Sequence, residues 1–229
     1  MRTLDPHADS LTPAGVYAPQ HDSHLLIEVM NRTVDLEGSS VLDLCTGSGV
    51  IAVAAAQHAP ASVTALDICP TAVRCAQDHA ESAGVHIDAR VGTYRTALDC
   101  GPFDVVLANP PYVPVGPESH RESVPESAGP ALAWNAGPDG RLVLDPLCDA
   151  APDLLAHGGT LLVVQSEFAD PARSLRRLRR GGLRASLAAA RRVPFGPVLA
   201  ARAAWLEGTG AMRPGNRIEQ LVVIRADKP

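Results

Sequence analysis

The 229-residue chain contains no Cys-x-x-Cys pair, no His-x-x-x-His pair and no uninterrupted run of 18 apolar residues, and lysine occurs once, at Lys228. Each absence excludes a class of protein. Five cysteines, at 45, 69, 75, 100 and 148, are too sparse for a disulfide-stapled secreted domain and read as reduced thiols in a cytoplasmic protein. Without paired His or Cys ligands, no metal site is expected. Without a long apolar segment, or a signal-peptide core after Met1-Arg2-Thr3-Leu4, neither membrane insertion nor export is expected. The net charge of −5 argues against a broad nucleic-acid-binding surface. The arginine cluster from Arg173 to Arg184 reads as a solvated helix face.

What is present is an alternation of apolar strands and helices. A hydrophobic fraction of 46% is enough for a sizeable core. Residues 1–16 carry no period and read as an irregular arm, after which Asp22 is expected to cap a helix bearing Leu25, Leu26, Val29 and Met30. Strands are expected at 41–44, 62–66, 86–91, 103–108, 159–164 and 220–224, with helices over 50–57, 70–82, 141–157 and 170–180. The pattern implies right-handed crossovers and a doubly wound, mostly parallel α/β sheet, with ligands at the carboxyl ends of its strands. Residues 113–139, rich in proline and glycine, form a long loop expected to act as a substrate lid.

Two motifs carry chemistry. The loop Gly47-Ser48-Gly49-Val50-Ile51-Ala52 fits the adenosine-cofactor pattern, and Asp67, ending the next strand, is placed to grip ribose hydroxyls. Asp43 is expected to face the cationic amino-acid part of S-adenosylmethionine, where it would repel a pyrophosphate. The second motif is Asn109-Pro110-Pro111-Tyr112, directly after a strand. A side-chain amide oxygen, the carbonyl of Pro110 and an adjacent ring make a socket for a planar N–H₂ group. That socket suits methyl transfer to an amide or exocyclic amine. A non-catalytic cofactor binder and a nicotinamide enzyme remain as alternatives.

With these residues in place the chain resembles the HemK/PrmC-type class I methyltransferases, a family of protein-glutamine N-methyltransferases. The resemblance rests on Val41 through Gly49, Asp67 and Phe103 through Pro114. It extends to the entry segment Val16-Tyr17-Ala18-Pro19 with Asp22-Ser23-His24-Leu25-Leu26, and to Trp134 through Arg141. It covers residues 16–225 and is closest to the short branch, which lacks an N-terminal helical domain.

The resemblance implies a Rossmann-like sheet of seven strands whose last strand is antiparallel. It also implies one methyltransferase domain over 37–229, preceded by an arm and entry helix over 1–36. For S-adenosylmethionine it implies contacts from Tyr17, Asp43, Cys45, Thr46, Gly47, Gly49, Asp67, Ile68, Thr93 and Asn109. Thr93 stands where relatives carry an acid for the adenine amino group, and Asp88 is the substitute considered. Catalysis falls to Asn109, Pro110, Pro111 and Tyr112, with Asn109, Tyr112 and Trp134 touching the acceptor.

The implied substrate is a glutamine amide of a protein such as a peptide chain release factor. N-methylation of adenine in tRNA or DNA, or of a small metabolite, is the alternative. A small zinc-binding activator subunit is a further implied partner.

Overall fold

The computed structural model describes residues 15–117, 123–125 and 128–229. Most of the expected arm and part of the expected lid therefore lie outside the described residues. The elements run α1 (His21–Thr33), β1 (Ser40–Leu44), α2 (Val50–Ala56), β2 (Ser62–Asp67), α3 (Pro70–Ala83), β3 (Asp88–Val91), α4 (Tyr94–Asp99) and β4 (Phe103–Ala108). The second half continues with α5 (Leu144–Leu154), β5 (Leu155–Ser166), α6 (Pro171–Arg180), β6 (Arg184–Pro194), α7 (Pro197–Gly208) and β7 (Ile218–Asp227).

One seven-stranded sheet has the order β3-β2-β1-β4-β5-β7-β6. Strands β1 to β5 pair in parallel, and β7 runs antiparallel to both β5 and β6. The order reverses between β1 and β4, so their carboxyl ends splay apart and leave a crevice there. Central strands covered on both faces read as apolar runs, and Val41, Leu42, Leu107, Ala108, Leu161 and Leu162 are fully shielded. Proline at the first turn of α3, α6 and α7 starts each helix at a position whose N–H has no intrahelical acceptor.

Several expectations are corrected. Asp22 does not cap α1: Gln20 occupies the cap position and Asp22 is buried within the first turn, bonded by phenolic hydroxyls. The helix expected over 141–157 is shorter, because Arg141 turns inward before it and Leu155 already belongs to β5. Strand β6 and helices α4 and α7 had no counterpart in the sequence reading. Arg184-Ala-Ser-Leu-Ala-Ala-Ala-Arg lacks the β-branched and aromatic residues that mark a strand, and pairing with β7 imposes one.

Three arginines of α6 face acids. Arg173 pairs with Asp139 and Asp145, Arg177 with Asp149, and Arg176 with Asp170. Arg141, only 2% exposed, closes the same cluster through Asp145 Oδ1 at 2.8 Å and Ser174 Oγ at 2.7 Å. Among the described residues no helix is long and apolar enough to cross a membrane.

Candidate active site

Two adjoining cavities open at the sheet's switch point. The larger, of about 320 Å³, is lined by the β1 loop, the end of β2, the start of α4 and residues 142–147. Its size lies within the roughly 300–1,000 Å³ range of small-molecule sites. The smaller, of about 70 Å³, is lined by Asp22, Asn109, Pro110, Tyr112, Trp134 and Glu219, with other residues of α7 and β7. Tyr17, Asn109, Pro111 and Ala133 line both and so form the boundary between them.

The β1 loop is built around tight, left-handed backbone. Cys45, Gly47 and Gly49 have φ of 61°, 54° and 78°. This bend lets the loop's amides bond within the protein: Thr46 N–H donates to the Leu66 carbonyl, Gly49 N–H to the Thr46 carbonyl, and Gly47 N–H to Asp67 Oδ2 at 3.0 Å. Asp67 Oδ1 accepts from Cys69 N–H at 2.8 Å. Burial raises the Asp67 carboxyl above its usual range, against the opposing pull of the Cys69, Gly47 and Ile68 amides. Three amides leave the carboxylate with acceptor capacity for a hydroxyl.

Of the residues that the sequence reading assigned to the cofactor, Cys45, Thr46, Gly47, Asp67, Ile68 and Thr93 line this cavity. Thr93 also caps α4, accepting from Arg95 N–H in a reciprocal arrangement with Thr96. Asp88 sits at the opposite end of β3, paired with Arg90, and does not line the cavity.

Two expected cofactor contacts are different in kind. Asp43 does not face the cavity: it is completely buried beneath the loop, with Oδ2 accepting from Thr46 Oγ1 at 2.6 Å and Ala52 N–H at 3.1 Å. Its Oδ1 has no partner among the described residues. Burial pushes its carboxyl up to about 7, with Asp67 adding to the shift and the Thr46 and Ala52 bonds opposing it. Gly49 is also off the lining, because it packs against α3, where a Cβ would come within 2.8 Å of the Ala76 backbone. Both residues shape the loop that others use for contact.

On the acceptor side, Asn109 Nδ2 donates to Ser23 Oγ at 3.2 Å. That bond fixes the amide so that Oδ1, the acceptor atom, is left for an incoming group. Tyr112 and Tyr17 both donate to Asp22 Oδ2, at 2.9 and 3.1 Å. Burial first, then the Asp22 carboxylate, raises both phenols well above their usual range, so they stay protonated donors. Close behind Tyr112, its carbonyl presses on Gly140, where no side chain fits.

Trp134 lines the smaller cavity, donates Nε1–H to the Gly129 carbonyl at 3.4 Å, and lies 4.8 Å beneath the Arg202 guanidinium. The described part of the 113–139 loop is fastened at its base. Val113 and Val115 donate to the Trp134 and Gly137 carbonyls, and Ala136 donates back to Val113.

Sequence reasoning gave no role to Ser23 or Glu219. Ser23 lay inside the recognised entry segment, which was the available signal. Glu219 begins an edgeward strand and carries no motif.

The larger cavity fits S-adenosylmethionine. Gly47 lines it with nothing within 4 Å of its Cβ position, and Asp67 stands beside mainly apolar walls. The methyltransferase small domain family matches residues 10–123. A Methanocaldococcus jannaschii protein named for N5-glutamine methyltransferase activity is 31% identical over 180 residues, covering 79% of this chain and 87% of that one. The release factor glutamine methyltransferase of Mycolicibacterium smegmatis is 35% identical over 153 residues, and the matched part is 65% of this chain and 53% of that one. The solved Mtq2–Trm112 complex of E. cuniculi, described as methylating the eRF1 termination factor, shares the fold at a TM-score of 0.60. It is 22% identical, with 94% of this chain and 99% of that chain covered. The chain belongs to the HemK/PrmC-type class I methyltransferases, enzymes that depend on S-adenosylmethionine.

Proposed function

We propose that this protein N-methylates a glutamine side-chain amide of a protein, the substrate being a peptide chain release factor. The observation that carries the reading is Asn109 at the boundary of the two cavities, its Nδ2 tied to Ser23 and its Oδ1 left to accept. When bound, S-adenosylmethionine supplies an electrophilic methyl group. The chain's own work is to hold the acceptor nitrogen still. One N–H goes to Asn109 Oδ1 and the other to the Pro110 carbonyl, which turns the nitrogen's lone pair toward the larger cavity.

Amide nitrogen is a weak nucleophile because its lone pair is delocalised, so contacts that favour its pyramidal form matter most. Orientation of this kind lowers barriers by roughly 7–11 kcal/mol in well-aligned intramolecular systems. Tyr112, anchored through Asp22, forms the wall against which the flat amide lies, and Pro111 stiffens the turn. Thr93 Oγ1 and the exposed Ile68 are assigned to the adenosine end, and Trp134 to the acceptor side.

The relatives named for glutamine methylation support the acceptor assignment, although the chain spans about half the length of the release factor enzyme it matches. The pairing of Arg173, Arg176 and Arg177 with acids reduces the positive surface that α6 offers a nucleic acid. A small zinc-binding activator is proposed as a partner, supported by β3 standing at the sheet edge with Val91 53% exposed. Five free cysteines fit a cytoplasmic setting.

The test is methyl transfer from labelled S-adenosylmethionine to purified release factor, with the modified residue located by mass spectrometry. Label on a glutamine amide supports the reading. Label only on tRNA or DNA adenine, with release factor unmodified, overturns it.

A further inference from the structure

Glu219 carries the one buried side-chain oxygen of the acceptor cavity that has no partner among the described residues, although the Ser166 hydroxyl bonds the same carboxyl group. It is 6% exposed, it lines the smaller cavity, and its Oε2 makes no hydrogen bond. The other carboxylate there, Asp22, is already engaged: its two oxygens take the Tyr17 and Tyr112 hydroxyls and the Ser23 N–H. Among the described residues no lysine or arginine lines this cavity. A buried carboxylate oxygen without a donor is costly, and the cost is relieved when a ligand brings one.

We infer that Glu219 Oε2 receives an N–H hydrogen bond from the methyl acceptor, separate from the two N–H groups of the nitrogen being methylated. Glu219 is then a specificity-determining residue: it selects an acceptor whose amide is flanked by a second donor. In a protein that donor is a backbone N–H, and in a free amino acid it is the α-ammonium. The inference rests on the proposed amide acceptor and adds what must accompany the amide.

The groups facing Glu219 make its charge state responsive to occupancy. Its carboxyl is pushed up to about 7, mainly by burial with Asp22 on α1 and Glu167 after β5 adding to the shift, while the Ser166 hydroxyl opposes it. Tyr17, Tyr112 and His21 are the other titratable residues of the lining among the described residues. An N–H donor favours the carboxylate, so acceptor affinity rises as pH passes upward through about 7.

The experiment compares the wild-type protein with Glu219→Gln on two acceptors, intact release factor and free L-glutamine, between pH 6 and 8. Initial rates give KM and kcat, and titration calorimetry in the presence of S-adenosylhomocysteine gives acceptor affinity without turnover. Glu219 does not line the larger cavity, so unchanged S-adenosylmethionine binding certifies the variant's fold.

The expected result is an acceptor KM and Kd raised roughly 10- to 100-fold with kcat little changed. Wild-type affinity should improve from pH 6 to 8, and the variant's should stay flat. Activity on release factor alone identifies the donor as a backbone N–H, and activity on L-glutamine as well admits the ammonium. A variant with wild-type KM and pH profile overturns the inference while leaving the proposed function standing. Wild-type protein inactive on both acceptors overturns the proposed function and this inference with it. If the variant does not bind cofactor, the wild-type pH profile decides alone, and a flat one overturns the inference.

Discussion

The Tyr112 hydroxyl donates to Asp22 Oδ2 at 2.9 Å across 90 positions of chain, and Tyr17 donates to the same oxygen at 3.1 Å. One carboxylate therefore ties the entry segment to the tetrapeptide after β4. Replacing Asp22 by Ala strands two largely buried phenols, each an unsatisfied donor costing about 1–3 kcal/mol. Asp22→Ala is expected to lower Tm by several degrees and raise acceptor KM, with S-adenosylmethionine affinity reduced less. Tyr112→Phe keeps the wall and removes one donor, so its loss should be the smaller. Thermal melts and acceptor titrations on the two variants check this order, and a Tyr112→Phe effect as large as that of Asp22→Ala would contradict it.

Asn109 and Ser23 are expected to behave as a pair. Asn109→Ala removes the acceptor oxygen itself and should lower kcat by about 10²- to 10³-fold, the scale seen when one preorganised hydrogen-bonding group is lost. Ser23→Ala removes only the bond that fixes the amide's direction, so a loss of about tenfold is expected, the scale of a typical single hydrogen bond. In the double variant the Ser23 effect should vanish, because nothing remains to orient. Additive losses measured as kcat in a double-mutant cycle would show that Ser23 acts elsewhere.

Much of this arrangement was legible in the sequence because it is local. The β1 loop, Asp67 and the tetrapeptide are short strings whose backbone geometry follows from their glycines and prolines, and they occupy the cavity lining as expected. Asp43 was misjudged because its position at a strand end says nothing of depth: its side chain turns under the loop. Gly49 was misjudged for a related reason, since its need for a missing Cβ comes from α3, whose approach is a tertiary fact. Glu219 was invisible altogether. It reaches the acceptor cavity only because β7 inserts antiparallel between β5 and β6, and nothing near it in sequence marks that insertion.

The buried acids predict how stability depends on pH. In the folded protein the Asp43 carboxyl is raised from 3.8 to about 7, and Glu219 from 4.5 to about 7. Both hold their protons more tightly folded than unfolded, so their contribution to stability is complete below the ordinary carboxyl range. It is lost as pH rises through the interval ending near 7 and changes no further above it. The protein without cofactor should therefore melt at a lower temperature at pH 8 than at pH 5.5. Asp43→Asn should reduce that difference while lowering Tm at pH 5.5, since an amide nitrogen at the buried Oδ1 position finds no acceptor among the described residues. A variant whose melting curve follows pH as steeply as the wild type would refute the role given to Asp43.

Gly47 and Gly49 lie two residues apart in one loop and should fail differently when given a methyl group. Both have positive φ, 54° and 78°, so alanine at either costs about 1–2 kcal/mol of backbone strain. At Gly49 the new Cβ also meets Ala76 Cα and Cβ at 2.8 Å, and α3 must move away from α2 to admit it. Gly49→Ala is therefore expected to unfold at markedly lower temperature, by more than the strain alone accounts for. At Gly47 nothing lies within 4 Å of the Cβ position, and the residue lines the larger cavity, where an added methyl group competes with the cofactor for space. Gly47→Ala should keep most of its stability and lose S-adenosylmethionine affinity by tenfold or more, a penalty of about 1.4 kcal/mol. Calorimetric binding beside thermal melts separates the two, and equal loss of stability at both positions would mean that the loop, rather than α3, sets the requirement at Gly49.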